Sequence, residues 1–306
     1  MALKDIKNKI KSVDRTRKVT KAMEAVSAVK MRKSQVRAIT ARPYANSALS
    51  ILERMSVSLG TVHHPLTERR EVKKAAFVVV TSDKGLCGIL NAAVIREAYL
   101  RVQNSGLAPE MISMYAFGKK GAEFFERRGY TVVERFENIS DDIVVSDLSK
   151  VSNDIARAFS EKNYDRVEII YTNFKSTFEQ NAIAHTVLPL SLETLSAVVK
   201  GITPEKGKVV TSSGVRSAPP FYTVEPSPEA VVGDLISSLV GVLFYHSLLE
   251  SKASEHSARM IAMKNASDKS RDLSKALTRT FNKARQAMIT REVSEIVGGI
   301  EAMASK

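Results

Sequence analysis

The sequence predicts an α/β protein: a long antiparallel coiled coil of N- and C-terminal helices, with an α/β domain between them. Three observations carry this. Residues from Pro228 to Ala304 contain no further proline and are dense in Ala, Leu, Met, Glu, Lys and Arg, the composition of one unbroken helix. The first sixty residues repeat apolar side chains every three or four positions, which is the helical period. From Lys74 the pattern changes to short apolar runs alternating with amphipathic stretches, which predicts a largely parallel sheet with covering helices.

The first element spans residues 1–60. Leu3, Ile6, Ile10 and Val13 open its stripe, and Val19, Met23, Val26, Val29 and Val36 continue it. Pro43 lacks the amide that bonds back one turn, so a kink or a segment end is expected there. Residues 1–43 hold 13 Lys or Arg against Asp5, Asp14 and Glu24, most of the chain's net +13. Such a helix suits an acidic partner.

The domain is expected over residues 74–192. Ala75 to Thr81 reads as a buried strand, Leu90 to Asn104 as a helix and Met111 to Phe117 as a second strand. A short helix over Lys119 to Arg128, a strand over Tyr130 to Phe136 and a mostly helical stretch over Asp141 to Lys162 follow. Val167 to Phe174 and Ala182 to Leu190 give the last two strands. This order is that of a Rossmann-like α/β domain. Residues 193–227 cluster Gly, Pro and Ser and read as a loop and an extended lead-in.

The final helix, residues 228–306, would be on the order of 110 Å long at its usual rise. No domain of this chain is that wide, so the helix is expected to project and to need a partner. Its stripe is heavy from Val231 to Leu249. It thins to Met260, Met263, Leu273, Leu277 and Phe281 among small residues, and thickens again from Met288 to Ile300. Slim residues suit close packing of two helices.

Several function classes are disfavoured. The loop Ser82 to Gly88 follows a strand and precedes a helix. It lacks both the three-glycine dinucleotide spacing and the Gly-Lys-Ser/Thr phosphate cradle. Cys87 is the one cysteine, which excludes an internal disulfide and a four-cysteine metal site. None of the five histidines sits in a recognisable motif beside it. Asp83 reads as a turn or helix-cap residue rather than an acid catalyst. No catalytic, cofactor-binding or metal-binding residue is expected. A basic nucleic-acid-binding helical protein is the alternative. It has no zinc finger, zipper or helix-turn-helix in its support, and tryptophan is absent. No apolar run reaches the roughly 18 residues of a membrane span, and the charged N-terminal residues do not form a secretory signal. A soluble protein of a reducing compartment is the expectation.

Three stretches carry a resemblance. Ile10 to Met31 (IKSVDRTRKVTKAMEAVSAVKM) resembles the opening helix of the gamma subunit of bacterial F-type ATP synthases. Thr81 to Asn91 (TSDKGLCGILN) resembles that family's signature loop, with Ile89 where a second glycine is usual. Ala253 to Ser267 and Phe281 to Gly299 resemble its C-terminal helix.

The resemblance implies a central rotor shaft that couples ion flow through a membrane ring to conformational cycling of catalytic beta subunits. The chain itself would be no enzyme and would need no cofactor. Its implied partners are the alpha and beta subunits of the hexamer, the epsilon subunit and the membrane c-ring. Membrane association would arise only through the complex, at the cytoplasmic face of the inner membrane. Mapped by the resemblance, Lys21, Met23, Lys84, Cys87, Arg259, Gln286, Thr290 and Glu292 are beta-contact positions. Tyr222 falls in the foot near the ring and epsilon. A single cysteine leaves no paired thiol switch.

Overall fold

The computed structural model describes residues 3–59, 64–191 and 228–304, so the expected loop and lead-in at 193–227 lie outside the described residues. The elements are α1 (Leu3–Leu59), β1 (Ala75–Val80), α2 (Leu90–Asn104), β2 (Ile112–Phe117) and α3 (Lys119–Glu126). They continue with β3 (Thr131–Phe136), α4 (Val145–Ser160), β4 (Arg166–Phe174), β5 (Gln180–Leu188) and α5 (Pro228–Ala304). Two long terminal helices and a mixed, mainly parallel sheet between them in sequence are the predicted fold class. The chain divides into two compact units: Met1–Ser27 with Arg259–Lys306, and Ala28–Ala258.

The second unit is built on one sheet of order β3-β2-β1-β4-β5. The first four strands in this order run parallel, and β5 pairs antiparallel with β4 at the edge. Central β1 is buried on both faces, which is why AAFVVV stood out as a continuous apolar run. Its period of two sorts the side chains. Ala76, Val78 and Val80 pack with α4 and α5. Ala75, Phe77 and Val79 pack with α2 and with Phe125 of α3. The result is three layers, helix on sheet on helix.

The wide stripe early in α5 is explained by the same core. Ile236, Leu239, Val240, Leu243, Phe244, Leu248 and Leu249 are buried with Ile155 and Phe159 of α4. This end of α5 is a core helix, and a core helix needs a broader apolar face than a coiled-coil seam does.

Two local boundaries are refined: no segment ends at Pro43, and the mostly helical stretch over Asp141 to Lys162 starts later than Asp141. α1 is unbroken across Pro43; the ring removes one amide donor there without ending the helix. The stretch from Asp141 is not helical at its start. α4 begins at Val145, and Asp141 and Asp142 instead bond to side chains of α1 and α5.

In the first unit α1 and α5 pair, and Ser274 Oγ donates to Asp14 Oδ1 at 3.0 Å. Ile6 and Thr20 of α1 and Met263 and Ser267 of α5 are buried there. The predicted seam holds at Leu3, Ile6, Ile10, Val13 and Met23, which are buried or half-buried, and is displaced at the valines further along. Val19 and Val26 are 59% and 55% exposed, whereas Thr20 and Ser27 are 8% and 3% exposed. In the second unit Val29 and Val36 are likewise exposed while Ser34 and Ala38 are buried. Short side chains let helix backbones approach closely. Their hydroxyls need not be stranded: Thr20 Oγ1 donates back to the carbonyls of Thr16 and Arg17 at 3.0 and 3.1 Å.

Candidate partner-contact surfaces

The loop Thr81 to Asn91 leaves the carboxyl end of β1 and is held from within. Asn91 Nδ2 donates to Ser82 Oγ at 2.7 Å, and Asn91 Oδ1 accepts from the Ser82 amide at 2.9 Å. Cys87 is 2% exposed, with Asn91 Nδ2 at 3.3 Å and Ser82 Oγ at 3.7 Å from its sulfur. The thiol is therefore part of the loop's internal bracing. Lys84 is exposed, as are Leu86 and Ile89, at 62% and 82%. Leu86 adopts the left-handed backbone region at φ 65, which turns its side chain out of the core. The sequence reading did not select these two; an apolar residue in a turn-rich loop with no strand or helix to bury it is the signal that marks them.

Asp83 is a cap, as the sequence suggested. Its Oδ1 accepts from the Lys119 amide at 3.0 Å and its Oδ2 from the Asn138 amide at 2.9 Å. The β1 loop is thereby bound to the start of α3 and to the end of β3. Gly118, at φ 95, closes the same corner; a Cβ there would lie 2.2 Å from the Thr81 carbonyl oxygen.

A doubly wound sheet places nucleotides outside the carboxyl ends of its strands, where the strand order reverses. Here the order reverses between β1 and β4, and a cavity of about 140 Å³ lined by Gln35, Ile39, Phe174, Lys175 and Glu250 opens beyond the end of β4; beyond the ends of β1, β2 and β3 the space is closed. Leu248, Ser251, Lys252 and Glu255 of α5 lie against Val80, Thr81, Asp83, Gly118 and Ile139, leaving a cavity of about 10 Å³. That is room for about one water. Among the described residues no group of His, Cys, Asp and Glu is placed to hold a metal ion.

The other mapped positions are spread out. Lys21 is exposed and pairs with Glu24 at 3.1 Å, and Met23, two residues on from Lys21, is half-buried. Gln286, Thr290 and Glu292 are exposed on α5. Gln286 and Thr290 share a face by their four-residue spacing, and Glu292 is off it. Arg259 is 8% exposed. Lys84 and Cys87 belong to the second unit; the remaining described positions belong to the first. Tyr222 lies outside the described residues. Near the end of α5, Ile289, Val293, Ile296, Val297 and Ile300 are 47–62% exposed, a helical apolar stripe presented to solvent.

Part of α1's positive charge is used inside the chain. Lys30 Nζ lies 2.7 Å from Asp141 Oδ2 and Lys33 Nζ 2.5 Å from Asp142 Oδ1. Arg37 reaches the Asp142 carboxylate and the Asp141 carbonyl. His256 Nε2 lies 2.9 Å from Asp141 Oδ1. The His256 bond, with the Lys30 bond behind it, holds the Asp141 carboxyl well below the usual carboxylate range despite partial burial.

A family model described as ATP synthase matches residues 2–303. The ATP synthase gamma chain of Heliobacterium modesticaldum is 37% identical over 302 residues, spanning 98% of this chain and 99% of that protein. The chain belongs to the ATP synthase gamma-chain family. The gamma chain of Halothermothrix orenii is 38% identical over 304 residues, spanning 98% of this chain and 99% of the relative. Among solved structures, a chain of the Tetrahymena thermophila mitochondrial ATP synthase central stalk and c-ring matches with TM-score 0.57 and 23% identity. It covers 81% of this chain and 99% of that one. A chain of the Euglena gracilis mitochondrial ATP synthase in rotational state 3 matches with TM-score 0.63 and 17% identity, covering 98% and 94%. At those identities the likeness is one of fold, and this gamma-chain family member shares that fold.

Proposed function

We infer that this chain is the central rotor shaft of an F-type ATP synthase, a non-catalytic subunit that couples ion flow to ATP synthesis in its partners. The observation that carries this is the full-length relationship to bacterial gamma chains, which runs through both long helices and the sheet.

The partners we propose are the alpha and beta subunits around the helix pair, with epsilon and the membrane c-ring at the α/β foot. The domain layout would be helix 1–60, foot 74–192, lead-in 193–227 and helix 228–306. In this reading Lys21, Met23, Lys84, Arg259, Gln286, Thr290 and Glu292 meet beta-subunit surfaces, and Cys87 supports the loop that presents Lys84. Tyr222 meets the ring or epsilon. No described helix is long and apolar enough to cross a membrane, so attachment at the cytoplasmic face would be peripheral. Contacts with the hexamer must be individually weak for rotation to proceed, and exposed ion pairs of about 1 kcal/mol or less meet that need.

The test is co-expression with the other subunits of the complex, the membrane ring included. One copy of this chain per hexamer, with ATP-driven ion pumping that requires it, is expected. A hexamer that pumps equally well without this chain overturns the reading.

A further inference from the structure

The turn between β3 and α4 does something the sheet core does not require. Asp141 and Asp142 collect side chains from both long helices. Lys30, Lys33 and Arg37 come from α1, and Lys252 and His256 from α5. Lys252 Nζ also donates to the Ile139 carbonyl at 3.0 Å, at the root of the same turn. Much of this lies on the rim: the Lys33 and Asp142 side chains are 51% and 57% exposed. Asp141, 19% exposed, is the hub.

Isolated exposed ion pairs hold little. A shared carboxylate differs, because each added partner meets a side chain that is already fixed. The mechanical character differs too. Apolar helix faces resist separation but slide past one another by small shears. Directional bonds from two helices to one short turn oppose that sliding. α5 has further ties to the sheet: Asn173 Nδ2 donates to Glu250 Oε2 at 2.9 Å, and Ser257 Oγ to the Thr177 carbonyl at 2.8 Å. The turn therefore matters most for α1, through three of its basic residues.

We propose that the Asp141–Asp142 turn is a torsional clamp that fixes both long helices to the sheet domain, with Asp141 as the positioning residue through which torque passes. This rests on the rotor reading above. The clamp joins the part of the shaft that would turn inside the hexamer to the foot that would follow the ring. Slippage at that joint would let hydrolysis run without full pumping.

The experiment uses the whole complex reconstituted in vesicles, with ATP hydrolysis and proton uptake followed together. Asp141→Asn keeps size and removes charge; Asp141→Glu restores the charge. The expected result for Asp141→Asn is hydrolysis near the parental rate and protons pumped per ATP reduced about threefold. Asp141→Glu should recover at least half of that loss, which a merely structural defect would not predict. A parental ratio in assembled Asp141→Asn complexes overturns the clamp. Should that variant fail to assemble, Lys30→Met, at a half-exposed side chain, is read by the same criterion. Parent complexes that pump without this chain would sink the rotor reading instead, so the two failures are distinguishable.

Discussion

Asp83 and Lys119, 36 residues apart, are joined by a 3.0 Å hydrogen bond from the Lys119 amide to Asp83 Oδ1. Lys119 is the first residue of α3, and its N-cap, Gly118, has no side chain to offer. The cap is therefore supplied by another loop. Asp83→Ala removes this bond and the one from the Asn138 amide. A loss of about 1–2 kcal/mol is expected, read as a lower urea midpoint at unchanged slope. An unchanged midpoint would show that water replaces the carboxylate at no cost.

Gly118→Ala should be far worse. The new Cβ meets the Thr81 carbonyl, which is backbone and cannot swing aside, at a positive φ that alanine also resists. We expect about 3 kcal/mol or more of destabilisation. Soluble yield and the thermal transition of the full chain check this. Gly106→Ala, also at positive φ but with open space around it, is the control and should cost about 1 kcal/mol.

Much of this architecture is visible in the order of residues, and the exceptions share a cause. β1 and α2 are legible because burial on both sheet faces and a clear period leave few alternatives. The α1 seam is legible only in part. Hydrophobicity selected Val19, Val26, Val29 and Val36, while close packing selected Thr20, Ser27 and Ser34. Their spacing of seven was the usable signal, concealed because hydroxyl residues are normally read as surface. The Asp141–Asp142 turn was hidden for another reason: its partners lie more than a hundred positions away in both directions. Of the mapped contact residues, Cys87 could not be recognised as buried from a loop of turn formers.

Acid should weaken the fold in two stages. Burial lowers His185 below its ordinary value of 6.5. Its neutral form is favoured in the folded state, so stability is full above about pH 6.5 and falls below it. Asp141, also depressed, adds stability that is present above the ordinary carboxylate range and is lost as pH falls through and below that range. His185→Gln should flatten the first decline and Asp141→Asn the second. Urea midpoints from pH 7 to pH 3 measure both, and unchanged slopes would remove these assignments.

Ending the chain after Glu292 should leave the α/β core intact. Val293, Ile296, Val297, Ile300 and Met303, which are removed, are exposed and belong to neither buried cluster. The thermal transition of the truncated chain should match the parent's. Its loss would mean that the end of α5 is needed for folding.

Met23→Lys adds charge where the proposed shaft meets an acidic beta-subunit surface. Protons pumped per ATP should change while assembly is retained, and wild-type coupling would remove Met23 from the contact set.

The central claim is that this chain turns inside its partners. The direct measurement fixes the hexamer to a surface, attaches a bead to the α/β domain through Glu110→Cys, at an exposed position between α2 and β2, and adds ATP. Sustained rotation in one direction, dependent on ATP, is the predicted result. A bead that only fluctuates while the same complexes hydrolyse ATP would contradict it.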